Sequence, residues 1–101
     1  MTEIDLHSLR PGTELLVDTR NSRYRIQMID GNECTALVHG GAYFCHETEA
    51  RIGASAMGGA VVKEGWISLG FGLQLSIDGK RIVTSRVRAI DVSPLPDSNS
   101  L

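Results

Sequence analysis

The chain has 101 residues, enough for one small domain with a modest core. Ten basic side chains against twelve acidic ones leave a net charge of −2, which lacks the basic excess of a dedicated duplex-DNA binder. No run is long and apolar enough to span a membrane, and residues 1–5 lack the basic start and apolar stretch of a secretory signal, so the expected setting is cytoplasmic with no membrane partner.

Residues 1–12 read as a lead-in, either a short helical turn or an extended stretch, punctuated by Pro11-Gly12. One β domain over 13–92 follows. Its first two strands, 13–19 and 23–29, flank a tight polar turn. With Asn21-Ser22 as a two-residue loop, Thr19 faces Tyr24, Val17 faces Ile26 and Leu15 faces Met28, which makes one side of the hairpin apolar. On the other side Asp18 faces Arg25, and Arg20 faces Arg23. Like charges placed opposite each other are destabilising, so this tip wants an anion or a nearby carboxylate.

A turn at Asp30-Gly31-Asn32 leads to a third strand at 34–39, and Gly40-Gly41 turns it into a fourth at 42–46. The turn before Cys34 can be counted two ways, so either Cys34, Ala36 and Val38 or Thr35, Leu37 and His39 face the core. Residues 47–52 read as one or two helical turns, with Thr48 as a cap and Gly53 as the stop. A short strand at 60–62 and another at 66–69 come next.

The last hairpin carries the strongest turn signal, Asp78-Gly79. Phe71, Leu73, Leu75 and Ile77 alternate with small or polar residues, as on a half-buried strand. Counting back from the turn sets Leu75 opposite Ile82 and Leu73 opposite Thr84. The final strand, 81–92, is long enough to bend and pair twice. The tail 93–101, with Pro94 and Pro96, reads as disordered. The expected fold is mainly all-β: a small antiparallel barrel, SH3-like or similar, of six to seven short strands with one short helical segment near 47–53. Glycines at 65, 70 and 72 suit its bends.

Cys34, His39, Cys45 and His46 have zinc-ligand chemistry but not zinc-site spacing. With Gly40-Gly41 as the turn, Ala36 faces Cys45 and Thr35 faces His46. The two thiols then share one face of the hairpin and the two imidazoles the other, so four ligands cannot close one tetrahedron. The expectation is two small buried thiols, two surface or edge imidazoles, no metal and no cofactor. Without a signal sequence the cysteines read as free thiols.

No nucleophile–base–orienter set is visible. Cys45 and His46 are neighbours that point apart on a strand, Asp5-x-His7 lies near the N-terminus, and Ser55 lacks a G-x-S-x-G elbow. The chain is therefore expected not to be an enzyme. The glycine-rich run 53–59 lacks the Lys-Ser/Thr ending of a P-loop and reads as a connection rather than a phosphate cradle. Trp66 reads as a core anchor.

Basic residues remain. Arg20, Arg23 and Arg25 decorate the first hairpin, and Lys80, Arg81, Arg86 and Arg88 the last. First and last strands of a barrel are often neighbours, so these sets can merge into one stripe. With Tyr24, Tyr43 or Phe44 as a stacking platform, such a stripe binds single-stranded RNA or DNA. Balanced by Asp18, Asp78 and Asp91, the same residues are an ordinary solvated face.

Residues 49–70, with Ala50-Arg51-Ile52-Gly53, Gly58-Gly59 and Gly65-Trp66-Ile67, together with Arg81-Ile82-Val83-Thr84-Ser85, resemble small single-domain bacterial proteins of uncharacterised function. The resemblance covers the C-terminal half. It implies a free-standing bacterial domain and carries no site residues across. The expected function is a non-enzymatic interaction module that docks a protein partner or associates with itself as a homodimer. The alternative is a single-stranded nucleic-acid binder using the two Arg-bearing hairpins. A third reading is a small-molecule or anion binder at 53–59.

Overall fold

Period-two burial runs through the strands of the computed structural model, which describes residues 2–41, 44–57 and 60–93. Along β2 (Glu14–Thr19) Leu15 and Val17 are fully buried, and along β3 (Arg23–Asp30) Tyr24, Ile26 and Met28 point the same way. On β4 (Thr35–Gly40) the inward residues are Ala36 and Val38, with Cys34 just before them. On β8 (Gly72–Ile77) they are Leu73 and Leu75. These side chains, with Phe44 and Ile52, form one core.

Among the described residues there are ten strands. β1 (Glu3–Asp5) pairs with β7 (Trp66–Ser68) in a small second sheet. The main sheet is antiparallel and runs β10 (Val87–Ser93), β2, β3, β4, β5 (Phe44–Met57), β8, β9 (Lys80–Val83), with β6 (Ala60–Glu64) also on β5. It curls into a half-barrel, as expected of a small all-β barrel. Backbone bonds from Gly70 N–H to Val87 O (2.9 Å) and from Val87 N–H to Phe71 O (2.9 Å) bring the start of β10 against the start of β8. No helix among the described residues is long and apolar enough to cross a membrane.

Several expectations hold. Asp78 and Gly79 both take positive φ, the conformation a type I′ turn requires. Leu75 pairs with Ile82, and Thr84 N–H donates to Leu73 O (2.9 Å). The long final strand does pair twice, as β9 with β8 and as β10 with β2, with a break at 84–86.

Others are corrected. The first hairpin closes one residue earlier than counted, so Arg20-Asn21 is the loop. Thr19 N–H donates to Ser22 O (2.8 Å), and Thr19 Oγ1 accepts from Ser22 N–H (3.1 Å). The shift keeps every side chain on its expected face but sets Asp18 opposite Arg23 and Leu15 opposite Ile26. Arg20 no longer faces Arg23, and the like-charge conflict is absent.

The helical segment near 47–53 is instead the middle of β5. Ala50 and Ile52 are buried while Glu49 and Arg51 are exposed, an alternation that only a strand can present to one core. The β4–β5 register also differs from the counted one: Ala36 faces Ala50 and Thr35 faces Arg51. Cys34 and Cys45 therefore do not share a face; Cys34 is buried and Cys45 exposed. The tail from 94 onward lies outside the described residues.

The lead-in is built into the fold. Besides β1 it supplies a 3-10 turn, Leu6–Ser8, whose Leu6 is fully buried in the core. Leu6 N–H donates to Gly65 O (2.8 Å). A Cβ on Gly31 would lie 2.6 Å from Leu9 O and 2.9 Å from Leu6 O, so only glycine lets the β3–β4 turn close over this segment. Leu6→Ala is expected to destabilise the protein by ~2–5 kcal/mol in chemical denaturation, the range for an emptied core site. An unchanged midpoint would show that the lead-in is only loosely attached.

Candidate functional site

The N-terminal turn holds one histidine in a defined pose. Asp5 caps it: its Oδ1 accepts from His7 N–H (3.0 Å) and lies 3.2 Å from His7 Nδ1. Ser8 Oγ donates to Asp5 O (2.7 Å). Gly65, at φ +73°, passes directly against the His7 ring, where a Cβ would collide with its Cε1.

Cys34 reaches the same place from the β3–β4 turn. Asp30 Oδ1 accepts from Asn32 N–H (2.9 Å), and Cys34 N–H donates to Gly31 O (3.3 Å). That turn leaves Cys34 at φ +56°, the left-handed region that non-glycine residues seldom enter. Ile52 N–H donates to Cys34 O (2.8 Å) and ties the residue to β5. The thiol Sγ then lies 3.7 Å from His7 Nε2 and 3.5 Å from Gly31 O. Asp5, His7 and Cys34 thus form a carboxylate–imidazole–thiol chain. Burial pushes the Cys34 thiol above its ordinary pKa; the Arg51 charge opposes this, and Asp5, Glu33 and Asp30 add to it. The resting sulfur is therefore a neutral thiol whose proton the imidazole can take, with Asp5 fixing the ring's orientation.

This chain opens on a pocket of about 300 Å³, lined among others by Arg51, Gly53, Glu64 and Gln74. Gly53 leaves the room: a Cβ there would stand 3.3 Å from Gln74 Nε2. Gln74, only 8% exposed, lines the pocket, and the exposed Arg51 beside it has no carboxylate partner among the described residues. The pocket therefore presents a thiol with its base next to a carboxamide and a guanidinium.

Sequence reasoning named Asp5 and His7 but did not join them to Cys34. The partners come from separate turns, and only docking of the lead-in against Gly31 and Gly65 brings them together. The one local signal is the pair of glycines, each marking a close backbone approach.

Of the seven basic residues singled out by the sequence, the fold gathers five. Arg20 N–H donates to Arg86 O (2.9 Å), and Ser85 Oγ bonds both Asn21 N–H and Thr19 Oγ1, so the first hairpin tip is stitched to the β9–β10 link. Arg88 lies in the bulge between Val87 and Ala89 on the neighbouring strand. Arg23 Nε donates to Asp18 Oδ1 (2.6 Å), and Arg25 Nε lies 3.4 Å from Glu14 Oε1. The Arg23 hydrogen bond holds the Asp18 carboxyl below its usual range. Lys80 and Arg81 stand apart on β9, at the opposite end of the sheet order.

The expected stacking platform is not on that corner. Tyr24 and Phe44 are buried in the core, edge to face with ring centroids 6.2 Å apart, and Tyr43 lies outside the described residues. His39 and His46 are exposed, and among the described residues no three or more His, Cys, Asp or Glu side chains are placed to hold a metal ion. Trp66 is half-buried rather than a core anchor, with Lys63 Nζ 3.8 Å from its ring centroid. Of the 53–59 run, Gly58 and Gly59 lie outside the described residues and the rest continues β5.

Gly65→Ala is expected to cost at least ~1–2 kcal/mol for the left-handed backbone alone and to displace the His7 ring. The check is denaturation together with the His7 imidazole NMR signals; an unmoved ring signal would mean that Gly65 does not set the pose. No family model, curated protein or solved structure matches this chain.

Proposed function

We propose that this chain acts by binding, and that its ligand is a small polar molecule seated in the pocket beside Cys34. The observation that carries this is the pair Arg51 and Gln74 on the pocket lining, a guanidinium with no carboxylate partner among the described residues beside a carboxamide. Both carry N–H donors, so a ligand bearing a carbonyl or carboxylate fits them. Glu64 on the same lining offers an acceptor to a hydroxyl or ammonium on that ligand. Two unpaired thiols fit a reducing, cytoplasmic setting for the domain.

The single-stranded nucleic-acid reading has less support. Two of the five gathered arginines are paired with carboxylates, and Tyr24 and Phe44 lie inside. Self-association keeps one specific observation. β9 ends the sheet order, and its Val83 is 46% exposed, so a second copy could add its own β9 there. Lys80 and Arg81 on the same strand oppose that pairing by charge repulsion.

A backbone amide shift titration with acetate, acetamide and N-acetylglycine tests the pocket. Saturable shifts at Gly53, Gly65 and Gln74 are expected, weakened by Arg51→Ala and by Gln74→Leu. Shifts scattered elsewhere, or none at millimolar ligand, would remove the reading. For the second reading, mass measured against concentration should show a dimer that Val83→Lys dissolves; a monomer throughout would end it.

A further inference from the structure

We propose that Cys34 is an acyl-accepting thiol, with His7 as its base, that captures the acyl group of a small activated ester or thioester bound in the pocket. This rests on the reading of that pocket as the ligand site and adds a covalent step to it. Three independent features converge. The thiol has an imidazole nitrogen 3.7 Å away, whose other nitrogen is held by a carboxylate at 3.2 Å. The same thiol lines a pocket of about 300 Å³, room for a short acyl group. Gln74, only 8% exposed, and Arg51 line the same pocket with carboxamide and guanidinium donors.

The chemistry balances with the ester alone. Cys34 Sγ attacks the carbonyl carbon while its proton passes to His7 Nε2. The S–C bond forms, the carbonyl π electrons move onto oxygen, and Gln74 and Arg51 supply donors on the lining for that charge. As the carbonyl re-forms, the ester C–O or thioester C–S bond breaks, and His7 returns the proton to the leaving oxygen or sulfur. The products are S-acyl Cys34 and an alcohol or thiol. Nothing is oxidised or reduced.

Burial and the nearby Asp5, Asp30 and Glu33 keep the free thiol protonated against the opposing pull of Arg51, so attack depends on the base. The left-handed backbone at Cys34 is held by the Gly31 turn and the Ile52 bond, an arrangement that fixes one side-chain direction. Cys45, exposed and with its sulfur bonded to no imidazole of the described residues, is the internal comparison.

The test treats the full chain with 4-nitrophenyl acetate and reads nitrophenolate release together with peptide masses. One acetyl per chain is expected on Cys34, forming faster than on Cys45 within the same molecule. His7→Gln should slow it about a hundredfold, the low end for a positioned general base, with circular dichroism checking that the variant folds. Cys45→Ser should leave the rate unchanged. Acetylation confined to Cys45 and lysines would overturn the proposal, and so would Cys34 acetylation that folded His7→Gln does not slow. If N-acetylglycine still shifts the pocket amides while Cys34 stays unmodified, the covalent step fails and the binding reading stands. If neither occurs, both fall.

Discussion

β5 has two edges, and three strands use them. Before Gly53 one edge pairs with β4; after it the same edge pairs with β6, while β8 follows the other edge across the change. The register slips between Ile52 and Ala54, so Gly53 is the extra residue of a bulge. A bulge bends a strand and raises its twist. Here it falls where β5 packs beside the small β1–β7 layer. Gly65, the bend between β6 and β7, bonds back to Gly53 O (3.1 Å) and forward to Leu6. The pocket is the gap that this bend leaves between Gly53, Gln74 and the N-terminal turn.

The polar side chains divide into two regions with different physics. At the hairpin corner, Arg23–Asp18 and Arg25–Glu14 are exposed pairs that fix local geometry and add little to stability. In the pocket, Cys34 and Gln74 are largely withdrawn from water, where a hydrogen bond or a mobile proton matters far more. Charge count points to the first region. Burial points to the second.

Legibility in the sequence followed the range of the interaction. The Asp78-Gly79 hairpin was readable to the residue because its turn dipeptide fixes register locally. The first hairpin gave its faces but not its register, since neither Arg20-Asn21 nor Asn21-Ser22 contains the glycine that would choose between them. Residues 47–52 misled because Glu, Ala and Arg favour helices, although the spacing of Ala50 and Ile52 already had the strand period. The Asp5–His7–Cys34 chain was illegible for another reason. It exists only because β1 pairs with β7 and Gly31 admits the turn, and no local spacing encodes either contact.

The pairing of β10 with β2 sets Val87 opposite Thr19 and Ser93 opposite Glu14, the first and last strands of the main sheet. Closing so large a loop carries an entropic cost that no local turn offsets. The hairpins β2–β3 and β8–β9 pair residues that are near neighbours in the chain, whereas β2 finds its second partner across all the strands between. Such non-local β topologies fold on the order of milliseconds to seconds. Until then the outer edge of β2, with Leu15 and Val17 at its heart, is an open template, and speed of closure becomes the chain's defence against pairing with a neighbour.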